Sequence, residues 1–234
     1  MRVAVLQSNY LPWRGYFDII HDVDTFVFYD DVQYTVNDWR NRNRVKTANG
    51  PLWITLPAGN QNDRRICDVE LRDQGWGRKH WRTIEQAYAR APHFAGIGGF
   101  LRGVYSRTWP SLSNLNQTLV KTIAGEFLGI RTEFRDSREF RLDGRKGDRL
   151  LGLLTELGAT EYVSGPAARG YLDLDTYRDA GVNVIWKDYS SYPEYPQLHG
   201  PFVPQVSIVD LLANCGTDAP FYIWGYRQSQ AADA

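Results

Sequence analysis

The stretch Arg2-Val-Ala-Val-Leu-Gln-Ser-Asn-Tyr-Leu-Pro-Trp-Arg-Gly-Tyr-Phe17 decides the fold. Arg2 to Gln7 is a short apolar run that starts abruptly and stops at Ser8 and Asn9, as a buried strand does. Pro12 stands where a first helical turn tolerates it, and Tyr16, Phe17, Ile19 and Ile20 recur on one helical face. Thr25 to Tyr29, β-branched and aromatic, predicts a second strand whose C-terminal end carries Asp30 and Asp31. Strand, helix and strand in this order make a βαβ unit and therefore a mainly parallel sheet.

The same alternation returns near the C-terminus. Strands are predicted over Arg131 to Arg135, Glu161 to Ser164 and Val182 to Trp186. Helices are predicted over Gly147 to Leu157 and Leu174 to Ala180, with glycine stops at Gly129, Gly158 and Gly181. The middle third is helical: Trp76 to Ala91, Phe94 to Arg107, and Leu112 to Leu128 with Ser113 or Asn114 as its cap. Tyr34 to Lys46 has neither a 2 nor a 3.6 period and reads as a functional loop or irregular strand, before a strand over Leu52 to Leu56. Ser207 to Ala213 makes a last helix. The expectation is one α/β domain over residues 1–227, a Rossmann-like sheet with flanking helices and a helical insertion near 75–130, followed by a loose tail at 228–234.

With 234 residues, Lys plus Arg and Asp plus Glu both numbering 27, the whole-chain field draws in neither nucleic acid nor an anionic membrane. The first apolar run is too short for a signal-peptide core or a membrane span, and the cysteines, Cys67 and Cys215, form no CxxC or Cys/His cluster. A cytoplasmic chain with no metal and no cofactor is expected. The aromatic share is 14%, with eight Trp and fourteen Tyr, a hint of a ligand pocket.

Six blocks in order resemble the WbqC-like family: Gln7 to Phe17, Asp30 to Tyr34, Asp38 to Asn43, Tyr162 to Ala167, Tyr195 to Gln197, and Asp210-Leu-Leu with Asn214 to Gly216. Ser8 stands where the family's opening motif has proline, and Val36-Asn37 where it has basic residues. The resemblance implies amino-sugar or surface-polysaccharide biosynthesis, with Gln7, Tyr10, Trp13, Gly15, Gln33, Trp39 and Gln197 of its blocks as candidate substrate contacts; His199, in the Pro- and Tyr-rich loop from Tyr192 to Pro204, is a further candidate because aromatic density suits a pocket wall. A fainter likeness is to nucleotide-binding folds that begin a helix with His-x-Gly-His. Trp13-Arg14-Gly15-Tyr16 keeps the glycine and lacks both histidines, which disfavours adenylyl transfer.

The residues themselves set out candidate chemistry. Adjacent Asp30 and Asp31 point to opposite faces of a strand, so they serve singly, as orienters, or mark a strand end. Arg40 and Arg42 offer planar forks for phosphate or carboxylate, and Asn41 and Asn43 offer amides for hydroxyl or carbonyl groups; the alternative is a solvated edge strand. Lys146 and Arg149 at a helix start could hold an anion, and Ser164 with Gly165 could supply a binding hydroxyl and an open backbone at a strand end. His80 is the preferred general base, with Asp30 or Asp31 beside it, although a satisfied structural histidine is the commoner case. Cys215 reads as buried filling after a helix.

The leading expectation is an N-acyl or aminoacyl transferase acting on an amino group of a phosphate-bearing small molecule; the competing one is a non-catalytic binder of a sugar nucleotide or glycan precursor. His80 bonded to Asp30 or Asp31 inside a pocket would favour the transferase, and a pocket with no convergent acid/base pair would favour the binder.

Overall fold

The computed structural model describes residues 1–72, 75–144, 146–170 and 172–227, Lys146 by its backbone alone. Strands β1 (Arg2–Leu6), β2 (Thr25–Phe28), β5 (Glu133–Asp136), β6 (Glu161–Ser164) and β7 (Asn183–Trp186) form a five-stranded sheet in the order β5-β2-β1-β6-β7. Every pair in it is parallel. Strands β3 (Arg42–Thr47) and β4 (Gly50–Thr55) make a separate antiparallel hairpin. The helices are α1 (Arg14–His21), α2 (Trp76–Tyr88), α3 (Phe94–Tyr105), α4 (Leu112–Thr122), α5 (Lys146–Glu156), α6 (Leu174–Asp179) and α7 (Ile208–Cys215). The expected α/β fold with a parallel Rossmann-like sheet is present. The expected tail at 228–234 lies outside the described residues.

Side-chain alternation along the strands divides the interior in two. Ala4, Phe26, Phe28 and Val163 face a core shared with α1 and the helices α2, α3, α4 and α7. Val3, Val5, Val27 and Tyr162 face the other core, against Leu150, Leu153 and Leu154 of α5 and Tyr177 of α6. Both sheet faces are therefore covered, which is why these strands read as continuous apolar runs.

Several boundaries moved for local reasons. The strand expected over Arg131 to Arg135 is shifted to Glu133–Asp136, because the Glu133 N–H bonds the Asp24 carbonyl (3.0 Å) and sets the pairing with β2. Helix α4 is capped by Ser111 in place of Ser113 or Asn114: the Asn114 N–H donates to Ser111 Oγ (3.1 Å), and Ser113 is buried inside the helix. Its last turns widen into a π-helical segment over Ile123–Phe127. The irregular stretch from Tyr34 becomes turns up to Asn41 and an ordered strand from Arg42 onward.

From β1 the chain runs out through β2 to β5, then returns to β6 and β7 on the other side, so the order reverses between β1 and β6. Ligands bind outside the carboxyl ends of strands at such a reversal. The segment that emerges there, residues 7–13, is irregular, and Ser8, Tyr10 and Leu11 in it are fully buried. Many of its backbone groups are met from elsewhere in the chain. The Ser8 N–H donates to the buried Asp30 carboxylate (2.8 Å), and the Tyr16 hydroxyl donates to the Gln7 carbonyl (2.9 Å). The Tyr10 N–H donates to the Trp39 carbonyl and the Ile208 N–H to the Pro12 carbonyl, both at 2.9 Å. Asn43 donates from Nδ2 to the carbonyls of Tyr10 (3.2 Å) and Leu11 (2.8 Å). Leu11 carries a φ of +43°, a left-handed backbone that a branched side chain adopts only when held. The segment after β1 and the Arg40 to Asn43 run thus meet at one end of the sheet. Among the described residues, no helix is long and apolar enough to cross a membrane.

Asn43→Ala leaves the Tyr10 and Leu11 carbonyls buried without this donor, and should cost about 2 to 3 kcal/mol in urea unfolding. A loss below about 0.5 kcal/mol, the range of an ordinary surface substitution, would show that Asn43 does not hold the segment.

Candidate ligand-binding site at the carboxyl end of the sheet

Two cavities flank the segment after β1. The first, about 310 Å³, is lined by Asn9, Pro12, Trp13, Trp39, Asn43 and Gln205. The second, about 480 Å³, lies over the other sheet face and is lined by Val5, Leu6, Gln7, Tyr29, Val32, Gly147, Leu150 and Tyr162. Along 7–9 the chain directs Gln7 to one cavity, buries Ser8, and gives Asn9 to the other. The side-chain amides of Gln7 and Asn9 make no hydrogen bond with the described residues. Their donors and acceptors at the sheet reversal are therefore not engaged by the described residues.

Trp13 walls the first cavity and also closes the start of α1. Its indole lies over Gly15, where a β-carbon would fall inside the ring, and it packs edge-on against Tyr189 (5.2 Å) and Tyr192 (5.9 Å). Gly15 therefore admits the chain's own indole, and the helix start that binds phosphate in many such folds is roofed by Trp13. Trp39, 43% exposed, tilts against Trp53 of β4 at 5.4 Å.

The candidate acid/base groups are held elsewhere. His80 is buried; its Nε2 faces the Thr55 carbonyl (3.1 Å) and so carries the proton, leaving Nδ1 to accept from the Tyr10 hydroxyl (2.8 Å). The hydroxyls of Tyr10 and Tyr105 bond each other in turn. Burial lowers the His80 pKa to about 4, with the Thr55 contact opposing that shift and Lys79 adding to it. Neither aspartate is a hydrogen-bond partner of this ring. Asp30 accepts from Ser8, from the Ser113 hydroxyl (2.5 Å) and from Gln117 (3.2 Å), which fastens α4 to the strand ends. Asp31 accepts from the Ser137 hydroxyl (2.5 Å) and pairs with Arg149, whose guanidinium also lies over the Tyr29 ring. The adjacent carboxylates do serve opposite directions.

The remaining sequence-derived residues divide in the same way. Trp13, Trp39 and Asn43 come together at the first cavity and Gln7 lines the second. Tyr10 is fully buried beneath them. Arg40 is paired with Asp38, and Asn41 donates to the Leu56 carbonyl (3.3 Å). The Arg42 guanidinium lies over the Trp53 ring at 4.5 Å. Gln33 donates to the Asn62 carbonyl, away from both cavities. Ser164 donates to the Tyr162 hydroxyl (3.3 Å), and Gly165 faces the Tyr189 hydroxyl. Gln197 accepts from the buried Lys46 ammonium (2.9 Å) and donates to the Tyr195 hydroxyl (3.0 Å), which donates to Asp210 (2.8 Å). His199 approaches the Ala87 carbonyl (3.3 Å). The Lys146 side chain lies outside the described residues. Cys215 is buried, its thiol pushed up to about 12 by burial and by Asp210 and Asp218. Among the described residues no group of three or more His, Cys, Asp and Glu side chains is placed to hold a metal ion.

Residues that sequence reading missed are Asn9 and Gln205, which line the first cavity, and Trp53 and Arg44, which adjoin it. Arg44 was legible: it lies two residues past Arg42 on the same strand face. Gln205 carried no local signal, since a long loop brings it back to β3, where Arg44 bonds it.

The pattern of the WbqC-like protein family matches residues 7–222. The chain belongs to that family. An uncharacterized protein of Mycobacterium tuberculosis, Rv1507c, is 45% identical over 230 residues, covering 97% of this chain and 99% of its own. No solved structure matches the chain. The blocks that carry the WbqC-like resemblance also pack on one another. Ser8 bonds Asp30, Tyr10 bonds Trp39, Arg14 lies over the Tyr195 ring at 5.4 Å, and the Tyr195 hydroxyl donates to Asp210 (2.8 Å).

The depressed His80 pKa has a signed consequence. The folded chain holds the ring neutral while the unfolded chain takes up a proton below about 6.5. Stability should therefore fall as pH drops from 6.5 to 4, by about 3 kcal/mol from this group. In His80→Gln, whose amide can serve both Tyr10 and Thr55, urea unfolding should lose that share of the pH dependence. Identical pH profiles for the two proteins would remove His80 as its source.

Proposed function

We propose that the protein binds a polyhydroxylated ring, an amino sugar or related glycan precursor, in the cavity between Trp13 and Trp39. The observation that carries this reading is the make-up of the wall: two indoles and the carboxamides of Asn9 and Gln205, beside an Asn43 already bonded to backbone groups, with no titratable side chain. Indole faces take the C–H face of a sugar, and amides both donate to and accept from hydroxyl groups. Membership of the WbqC-like family supports polysaccharide-related biosynthesis as the setting. The lack of a convergent acid/base pair at this wall favours recognition over chemistry within this cavity.

A transferase reading is kept alive by one observation: the second cavity adjoins the same segment, so that Gln7 and Asn9 could face two ligands at once. Under that reading an acyl or aminoacyl donor occupies the Gln7 cavity and the amino sugar occupies the Trp-walled one. The amino group must then be deprotonated by solvent or by the donor itself, because Asp30, Asp31 and His80 are already engaged.

Tryptophan fluorescence titrated with N-acetylglucosamine and related amino sugars tests the first reading. Trp39→Ala should abolish the saturable change, and Asn9→Ala should weaken binding by about tenfold, the worth of one good hydrogen bond to a ligand. Saturable binding unchanged in both variants would remove the ligand from this cavity. Mass analysis of an amino sugar incubated with acyl donors separates the two readings, since only a transferase forms an N-acyl product.

A further inference from the structure

Beside the Trp-walled cavity stand two cations without an anion. Arg42 and Arg44 occupy alternate positions of β3, so their side chains leave one face of the hairpin, and both guanidinium carbons lie over the Trp53 ring, at 4.5 and 5.4 Å. Stacking on an indole restrains a guanidinium and leaves its N–H fork in the plane free. Neither arginine is in an ion pair with a described residue, whereas Arg40, in the turn just before, is neutralised by Asp38. Arg44 donates to Gln205 Oε1 (2.9 Å), and Gln205 is itself part of the cavity wall. Trp39, on that wall as well, touches Trp53. The Nε of each arginine is buried and has no hydrogen-bond partner.

We propose that Arg42 and Arg44 bind a phosphoryl group of the ligand whose ring enters the Trp-walled cavity, so that the natural ligand is a sugar phosphate or a sugar nucleotide. The choice of phosphoryl over carboxylate rests on capacity. One fork fills a carboxylate, while two forks leaving one strand face need an acceptor with at least three oxygens. The identity of the ring rests on the functional reading above; the anion site does not. It keeps Arg42 from the expectation that Arg40, Arg42 and Lys146 hold the anion, and changes one member: Arg40 is spent on Asp38, and Arg44 takes its place.

Calorimetric titration of the full chain with inorganic pyrophosphate, N-acetylglucosamine, its 1-phosphate and its uridine diphosphate tests the proposal. Pyrophosphate should bind, and Arg42→Gln and Arg44→Gln should each weaken it by about tenfold or more, while Arg138→Gln, a surface arginine paired with Asp136, should not. Glutamine keeps a polar side chain without the charge or the fork, and melting temperatures measured alongside report the fold. Arg44→Lys, which keeps the charge and loses the fork, should give an intermediate affinity if either glutamine variant melts early. The 1-phosphate and the uridine diphosphate arms distinguish a sugar phosphate from a sugar nucleotide. Arginine-dependent binding of pyrophosphate without binding of any sugar would uphold the anion site and remove the ring reading. Sugar binding in which phosphorylated and free sugars respond alike to the arginine variants, or no pyrophosphate binding by the wild type, would overturn the proposal.

Discussion

An irregular segment buried at the end of a sheet needs partners for its backbone polar groups, and many of those in residues 7–13 are met by distant parts of the chain. Asp30 holds the Ser8 N–H, Tyr16 the Gln7 carbonyl, Trp39 the Tyr10 N–H, Asn43 the Tyr10 and Leu11 carbonyls, and Ile208 the Pro12 carbonyl. Each unpaired group would cost about 1 to 3 kcal/mol, so the partners are as necessary as the core itself. This requirement explains why motif blocks far apart in sequence converge: the strand end, the hairpin and α7 are brought together by the segment they jointly satisfy.

The same requirement decides what becomes of the charged and polar residues that look catalytic. Asp30 is used on Ser8, Ser113 and Gln117, and Asp31 on Ser137 and Arg149. Asp18, fully buried, is held by Lys187, Arg227 and the Tyr192 hydroxyl, which ties α1 to the loop after β7 and to the last described helical turn. Among the described residues, what is left at the sheet end without a counter-charge is neutral or cationic: the amides of Gln7 and Asn9, the exposed indoles of Trp39 and Trp53, and the guanidinia of Arg42 and Arg44. That remainder is what the proposed ligand would meet.

Much of the fold was legible because its signals are local. The apolar run at Arg2, the helical stripe at Tyr16 to Ile20 and the glycine at 158 speak through periods and backbone preferences that need no tertiary knowledge. Gly158 has a φ of +67° at the helix end, as its position implied. The site was only partly legible. Trp13, Trp39 and Asn43 were readable as a cluster of ring and amide types, but Asn43 acts largely on the backbone, a use that residue type cannot announce. His80 was read as a base because histidine titrates near neutrality; burial against Tyr10 and Thr55 removes that property, and burial is set by tertiary packing. Gln205 and the pairing of Arg40 with Asp38 likewise depend on where loops return.

The central claim is that the segment after β1 is a fixed platform that presents Gln7 and Asn9 outward. Native-state hydrogen exchange tests it most directly, since the Ser8 and Tyr10 amides are bonded to Asp30 and to the Trp39 carbonyl. A fixed platform requires both to exchange only with global unfolding, at the rate of amides in β1. Exchange of either at the faster rate of a locally opening loop, with β1 still protected, would contradict it.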